Sequence, residues 1–591
     1  MSAPAPRRIH RAAALLVLLT GWLAAALVVA GPASAHAVLV STDPAEGARL
    51  DAAPAAVTLE FSEGVSLGAG YARVLTASGE QVDGDAASVD GDVLRIPLPD
   101  DLGDGGYLVT YRVVSADSHP VSGAFSFVVG EGDLVPAGAA EGADADPTVA
   151  ALLPVVRAIG FAGTSLAIGV PLLALLCWPG GWAAPRLRRP ALAGALTVAV
   201  AAVVTFLLQG PYAAGSGLGS LLDPELVAAT ASSATGWSLL ARAVLALALA
   251  GSLLPAWRDG RAPGRPVVAV AGVLAVGLVV ATAASGHPVA GPYPGLAVAV
   301  AAVHVGAMAV WLGGLAGLLA GLLRPGAAAG DVARAMPRFS RIAYGTVVAL
   351  VLSGVVQAVR EVSSPTALVE STYGWVLLAK IGLVLVVLTA AGISRVWVQQ
   401  RLGVRGPRPG GRARVTAHAF AAADDDGPAA SRVRVQEENA VAHLPSLRRS
   451  LLVELVVAAA VLVLSGVLVG TPPARSSVAE PVDVTVPLEG TGAQAGSVQL
   501  SVDPAQPGSN VLHAYLFDDD GRPIAPAGIE ITLADDEQGI GPLDVDLAPS
   551  GPGHYTADDL AIPRPGTWTL TVTVRLDEFT ALRATTEFPV R

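Results

Sequence analysis

Cysteine is almost absent from this sequence, since Cys177 is the only one among its 591 residues. A single thiol cannot form an intramolecular disulfide or supply a zinc site built on several cysteines. The sequence also lacks a glycine-rich phosphate-binding loop, which argues against transport driven by ATP. No nucleophile lies in a recognisable pattern with a base, so we expect no enzymatic activity.

Basic residues are scarce at both ends of the chain. Residues 36–149 hold 19 acidic residues against 4 arginines, and residues 475–591 hold 18 against 6. Because the whole chain has a net charge of −12, its middle must be basic. Acidic surfaces repel nucleic acid, so we expect no nucleic-acid partner.

The first 35 residues have the pattern of a secretory signal peptide. Arginines precede the apolar stretch 12–30, and residues 33–35 match the small-x-small cleavage pattern. Cleavage after Ala35 makes His36 the new N-terminus. The alternative is an uncleaved first membrane helix.

Two regions have the pattern of all-β domains. Short runs with strand character alternate with Pro, Gly and Asp turns at the spacing of a sandwich. In residues 36–130 the predicted strands are 57–61, 71–75, 94–98, 107–114 and 124–129. In residues 480–591 they are 498–502, 513–517, 529–533 and 568–575. Residues 131–149 have the composition of a solvated linker.

The region 150–470 predicts eight transmembrane helices. Each apolar segment is long enough to cross about 30 Å of hydrocarbon, and they lie near 151–178, 190–210, 236–256, 266–284, 295–323, 340–362, 374–394 and 450–470. Arginine is concentrated in alternate loops, which places those loops in the cytoplasm and both termini outside. One of them, residues 395–449, is predicted to be irregular. We therefore expect a multi-pass protein of the cytoplasmic membrane, with two β-sandwich domains outside and an eight-helix bundle in the lipid bilayer.

A copper-binding set of side chains is predicted in the first β-region. If the signal is removed, His36 offers a free amine and an imidazole that can chelate one metal ion. Asp117 and His119 are two positions apart, so on a strand they point to the same face. Nitrogen-rich tetragonal coordination by these residues suits Cu(II). The alternative is that His119 caps a turn before Pro120.

Motifs in this region resemble the CopC copper-binding family. They are His36-Ala-Val-Leu, Ser41-Thr-Asp-Pro-Ala45, Leu59-Glu-Phe-Ser-Glu63 and Asp117-Ser-His119-Pro120. The resemblance implies an Ig-like or cupredoxin-like sandwich over residues 36–130, with His36, Asp117 and His119 as the ligands of Cu(II). Some members of that family have a separate Met-rich Cu(I) site. Residues 36–149 contain no methionine, so we expect only Cu(II) in this domain.

Methionine is rare throughout, and Met308 lies four residues after His304 in the fifth apolar segment. Residues at this spacing share one face of a helix. An imidazole and a thioether together suit copper, and the thioether favours Cu(I). His287 lies in the loop before this segment and could pass a metal ion to His304. The alternative is a structural histidine between helices beside a methionine that fills space.

Motifs across the last five apolar segments resemble the CopD family. They include Ser285-Gly-His287, Trp311-Leu-Gly-Gly314, Arg338-Phe-Ser340, Ser353-Gly354 and Leu447-Arg-Arg-Ser450. The resemblance implies passage of copper across the cytoplasmic membrane, usually as import. Residues 480–591 resemble YtkA-like sandwich domains through motifs such as Gly553-His-Tyr555 and Gly566-Thr-Trp568. The two histidines of that region, His513 and His554, are isolated in sequence, which favours structural roles.

Four basic residues lie near the outer ends of the predicted helices: Arg157, Arg242, Arg360 and Lys380. The ordinary explanation is that their side chains extend to the membrane surface. If they instead face the interior of the bundle, they would repel a bare Cu²⁺ ion and favour an anion or a chelated metal.

Three functions are compatible with these patterns. The first is a copper importer that captures Cu(II) outside the membrane. The second is a copper receptor or delivery factor that supplies an envelope cuproprotein without transport. The third is a membrane haem redox protein with an intramembrane histidine as axial ligand.

Overall fold

In a computed structural model, the structure describes residues 37–590 apart from short gaps. The gaps are 38, 84–85, 100, 117, 133, 136–145, 291–292, 325, 363–364, 402–427, 475–481, 491–495, 504, 506, 519–521, 536–537 and 578–579. The predicted signal peptide, His36 and Asp117 therefore lie outside the described residues.

The N-terminal β-region, called here the N-domain, is a sandwich of two four-stranded sheets. Its strands are β1 (Leu39–Asp43), β2 (Arg49–Leu50), β3 (Ala56–Phe61), β4 (Val65–Thr76), β5 (Ser88–Asp90), β6 (Val93–Pro97), β7 (Gly105–Ser115) and β8 (Pro120–Val129). The sheet orders are β1-β3-β6-β5 and β2-β8-β7-β4. The rings of Phe61, Phe125 and Phe127 are fully buried between the sheets, where alternate residues of each strand point. The predicted β-sandwich is confirmed.

The C-terminal β-region, called here the C-domain, is also built from two sheets. Its strands are β9 (Val482–Pro487), β10 (Ser497–Asp503), β11 (Gly508–Phe517), β12 (Gly528–Asp535), β13 (Ile540–Val545), β14 (Ala548–Gly551), β15 (His554–Ile562), β16 (Gly566–Arg575) and β17 (Ala581–Val590). The orders are β14-β15-β11-β10-β9 and β13-β12-β16-β17. The buried Trp568 ring satisfies its N–H by donating to the carbonyl of Arg564, at 3.0 Å.

The middle of the chain is helical. The helices are α1 (Pro147–Leu176), α2 (Pro185–Ala214), α3 (Pro224–Ser232), α4 (Ala234–Asp259), α5 (Arg265–Ala283), α6 (Pro294–Gly321), α7 (Ala329–Val362), α8 (Pro365–Glu370), α9 (Thr372–Arg401) and α10 (Pro428–Val469). Eight of these described helices, all except α3 and α8, are long and apolar enough to cross a membrane, as predicted.

The expectation of an irregular segment over residues 395–449 is wrong at both of its ends. Helix α9 continues to Arg401, and α10 already begins at Pro428. The polar sequence 429–440 is rich in Ala, Arg, Glu and Gln, which have good helix propensity, so it extends the last apolar helix without interruption.

Close packing of α1 against α6 depends on small residues. A Cβ atom added to Gly313 would lie 1.8 Å from the carbonyl oxygen of Ser165, and one added to Gly169 would lie 2.3 Å from that of Ala309. Small residues let backbones approach in this way where lipid offers no hydrophobic driving force. This contact fixes α6, the helix that carries His304 and Met308.

Both β-domains lie on the same face of the helix bundle. The N-domain contacts the end of α2, where the buried Arg112 side chain donates hydrogen bonds to the carbonyl oxygens of Tyr212 and Ala213. The C-domain touches the N-domain, since a Cβ atom at Gly47 would lie 3.9 Å from the ring of Tyr515. The placement of both termini outside the cytoplasmic membrane stays a prediction.

Candidate functional site

The turn between β7 and β8 carries His119. The last residue pair of the two strands is Val114 with Pro120. Since β7 ends at Ser115 and β8 begins at Pro120, His119 lies in the connection, directly before β8. The carbonyl oxygen of His119 accepts hydrogen bonds from the backbone N–H of Ser115 at 3.0 Å and from its hydroxyl at 3.1 Å. His119 therefore closes the turn with its backbone, while its imidazole stacks on a ring of the membrane domain.

The same turn is pressed against the membrane domain. The Ser118 carbonyl accepts a hydrogen bond from the Gln209 amide on α2 at 3.2 Å, and the Ser118 hydroxyl contacts that of Thr235 on α4. Ser118 has a φ of 77°, in the left-handed region that costs energy for a residue other than glycine. Tertiary contacts thus hold the β7–β8 turn in a conformation that presents His119 to the helices.

The partner of His119 is His287, in the loop between α5 and α6. The two imidazole rings stack with centroids 5.6 Å apart and planes 19° from parallel. Both are buried, with exposed fractions of 5% and 6%. The histidine predicted in the N-domain Cu(II) site and the one predicted at the start of the membrane path are therefore direct neighbours.

Glycine sets the position of His287. Gly286 has φ 68° and ψ −156°, a conformation open mainly to glycine, and the chain then forms a single 3₁₀ turn over His287–Val289. This turn directs the imidazole inward against the ring of Tyr373 on α9, with centroids 6.1 Å apart.

A cavity of about 240 Å³ opens beneath these rings. It is enclosed by membrane helices at the end that bears the N-domain, and we call it the bundle cavity. Its walls include Ser118, His287, Tyr373, His304 and Met308. The three residues predicted for the membrane path thus share one cavity, and that cavity begins at the N-domain turn.

A hydrogen bond fixes the ring of His304. Its Nδ1 atom lies 3.0 Å from the hydroxyl oxygen of Ser353 on α7. That hydroxyl also lies within hydrogen-bond distance of the carbonyl of Ala349, at 2.7 Å, and of that of Leu350, at 3.2 Å. When the hydroxyl donates to one of these carbonyls, it accepts from His304. In that arrangement Nδ1 carries the proton and Nε2 keeps a lone pair. Such orientation by a second residue is typical of metal-binding histidines.

Positive charge surrounds this cavity. Arg157, Arg242, Arg360 and Lys380 all line it, so the expectation that they extend to the membrane surface is wrong. The cavity gives their charged groups a polar space inside the bundle, which removes the need to reach the lipid headgroups.

In the C-domain, folding brings together two histidines that are 41 residues apart. Nδ1 of His513 on β11 lies 3.1 Å from Nε2 of His554 on β15, and the ring of Tyr515 stacks on His554 with centroids 4.2 Å apart. Burial, and then the neighbouring His513, lowers the pKa of His554 from 6.5 to about 4. His554 is therefore a neutral core histidine at physiological pH.

Sequence reasoning gave no role to several side chains of the site. Ser353 belongs to one of the CopD-like motifs, and nothing in the sequence links Gln209 or Tyr373 to the histidines. Their partners lie on other helices, so local spacing holds no sign of these contacts.

Three family models match parts of the chain. The CopC domain model matches residues 39–130, the model for the N-terminal domain of copper resistance protein D-like proteins matches 146–295, and the copper resistance protein D model matches 333–423. The matched ranges end before the C-domain, whose YtkA-like character stays a prediction.

Individual proteins are also similar to this chain, over most of its length or over its N-terminal part. The copper transport protein CutJ of Bacillus subtilis (strain 168) is 26% identical over 553 residues, which are 91% of this chain and 93% of CutJ. Copper resistance protein C of Pseudomonas syringae pv. tomato is 39% identical over 114 residues, which are 18% of this chain and 90% of that protein. The crystal structure of CopC from Methylosinus trichosporium OB3b is 31% identical and covers 16% of this chain and 93% of that one, with a TM-score of 0.15.

The fold and these matches define a multi-pass membrane protein in which a CopC domain precedes a CopD membrane domain. The chain belongs to the family of CopC–CopD copper transport and resistance proteins, and it is homologous to CutJ over nearly its whole length. Both predicted resemblances, to CopC and to CopD, are confirmed.

Proposed function

We propose that this protein captures Cu(II) outside the cytoplasmic membrane and imports copper through the bundle cavity. The observation that carries the proposal is the stacking of His119 on His287. Imidazole nitrogen is the commonest protein ligand for metals of this kind. The imidazole of His287, on the membrane domain, is therefore the next ligand available to a copper ion that leaves His119.

Capture takes place at His36, Asp117 and His119. With the N-terminal amine they form a nitrogen-rich donor set that suits Cu(II). Because the His119 ring is buried against the membrane domain, copper from solvent is loaded while the N-domain is undocked. Docking then places the loaded site over the cavity.

Passage continues along α6. From His287 the ion reaches His304, whose Nε2 lone pair is available, and then Met308, which lies one helical turn further and also lines the cavity. Imidazole accepts copper in either oxidation state, whereas the thioether favours Cu(I).

Copper accumulation in cells that lack their own importer tests this function. The intact protein is expected to restore accumulation, whereas His119→Ala and His287→Ala are expected to abolish it. His513→Gln is the matched control, because it removes an imidazole of the C-domain that does not line the cavity. Restored accumulation in the His287→Ala variant would contradict the proposed path. Copper binding without accumulation by any form, together with a cuproenzyme that depends on the protein, would favour delivery over import.

A further inference from the structure

The charge of the bundle cavity is unusual for a path that carries a cation. Its described lining holds four cationic side chains and a single carboxylate, that of Glu361. Even if the carboxylate of Glu361 neutralises one of these cationic groups, three positive charges remain. A charge within a membrane protein is costly unless it is paired, so this cavity is built for negative charge.

Arg242 shows how the charges are held. Its Nε donates to the carbonyl of Ala281 at 3.1 Å, and its Nη2 donates to the hydroxyl of Ser285 at 2.6 Å. Both acceptors are neutral, and among the described residues no carboxylate lies within 4.0 Å of Arg242. The guanidinium is thus fixed on the cavity wall with its charge uncompensated and with Nη1 donors to spare.

Arg157 and Lys380 are less constrained. Within the described part of the chain, neither has a hydrogen-bond acceptor or an ion-pair partner. Arg157, Lys380 and Arg242 all line the same cavity. Groups of like charge in a low-dielectric space repel strongly, so a bound anion would stabilise them together.

The arrangement also indicates the kind of anion. The four cationic groups come from four helices, α1, α4, α7 and α9, so a ligand with several negative groups can contact more of them at once than a ligand with one. The planar fork of arginine matches the two oxygens of a carboxylate. We propose that the bundle cavity binds a small polycarboxylate anion.

A consequence for copper rests on the proposed function. A bare Cu²⁺ ion would be repelled by the cavity. A trivalent carboxylate such as citrate keeps a net negative charge after it binds one Cu²⁺ ion. Copper therefore enters the cavity as an anionic complex, and His287 and His304 take the metal from it.

Equilibrium binding of radiolabelled citrate to the copper-free, full-length protein in detergent tests the site. Saturable binding is expected, and Arg242→Gln and Lys380→Met should each weaken it by about tenfold or more. Arg395→Gln is the control: Arg395 is also on a membrane helix, donates to the carbonyl of Ser340 at 2.6 Å and lies outside the cavity lining, so affinity should be unchanged.

Three results would overturn the inference. The first is that citrate shows no saturable binding. The second is that the cavity variants bind citrate as tightly as the intact protein. The third is that chloride displaces citrate as readily as another tricarboxylate does. A Soret band in the purified protein would also overturn it, because a porphyrin would then supply the carboxylates. If a variant fails to fold, the chloride competition on the intact protein still decides the matter.

Uptake experiments separate this inference from the proposed function. Proteoliposomes should accumulate copper faster from its citrate complex than from a neutral imidazole complex. Equal rates would contradict the anionic complex while leaving import intact. Citrate binding without accumulation from either complex would contradict import while leaving the anion site intact.

Discussion

The imidazole of His119 in the N-domain stacks on that of His287 in the membrane domain, with ring centroids 5.6 Å apart. The two residues are far apart in sequence and belong to separately folded units. The cavity below them continues to His304 and Met308 on α6. This pair of side chains therefore connects the proposed capture of copper with its passage. The position of the pair depends on domain docking, ring orientation and helix packing.

Docking of the N-domain should depend on Arg112. Replacement by Leu removes the hydrogen bonds to the carbonyl oxygens of Tyr212 and Ala213. These carbonyls would lose a charged donor, at a cost of about 1–3 kcal/mol. We expect faster hydrogen exchange in both the β7–β8 turn and the end of α2. The control Arg95→Leu changes an exposed arginine of the same domain, and identical exchange in the two variants would rule out this role.

Orientation of His304 should depend on Ser353. In Ser353→Ala the 3.0 Å hydrogen bond to Nδ1 is lost, and the ring is free to turn its lone pair away from the cavity. Loss of such an orienting partner typically weakens metal binding by about 10–100-fold, so we expect copper uptake to fall in this range at low copper concentration. Ser252→Ala is the matched control, since within the described part of the chain the Ser252 hydroxyl bonds to the Leu249 carbonyl of its own helix. Equal uptake by the two variants would show that Ser353 has no such function.

Packing of α1 on α6 should be sensitive to Gly313. A Cβ atom there would lie 1.8 Å from the Ser165 carbonyl oxygen, so Gly313→Ala forces the helices apart and should lower the free energy of unfolding by about 1–3 kcal/mol or more. Gly272→Ala on α5 meets nothing within 4 Å and should be neutral or stabilising by up to about 1 kcal/mol. Denaturant unfolding of both variants in detergent measures the difference, and a stable Gly313→Ala protein would contradict the close helix contact.

Stability of the C-domain should fall in mild acid. The pKa of His554 is lowered from 6.5 to about 4 by burial and by His513, so between these pH values the unfolded state binds the proton more readily than the folded state. The free energy of unfolding therefore decreases as the pH falls through this interval, by at most about 3 kcal/mol. Urea-dependent hydrogen exchange of β15 in the full chain measures it at neutral pH and near pH 5. The His554→Gln variant should show a smaller decrease, and an unchanged pH dependence in that variant would exclude His554 as its source.

Much of the fold can be predicted from the sequence, because each helix or strand has a local sequence pattern of its own. The run of aromatic and β-branched residues along 107–114 predicts β7, and the apolar run 295–323 predicts α6 without any tertiary information. The site was predictable only where chemistry is local, as with His304 and Met308 one turn apart. The stacking of His119 on His287 and the bond from His304 to Ser353 arise from packing between elements. The inward placement of Arg157 also depends on the bundle cavity. That cavity is formed by several helices together, so the sequence of one helix does not predict it.

Copper accumulation by proteoliposomes tests the central claim most directly. Purified intact protein should accumulate copper in the lumen, whereas His287→Ala and His304→Ala should accumulate little or none although their N-domain still binds Cu(II). His513→Gln should behave like the intact protein. Failure of the intact protein to accumulate copper under both oxidising and reducing conditions, while its N-domain binds Cu(II) normally, would contradict import and leave His287 as a receptor contact.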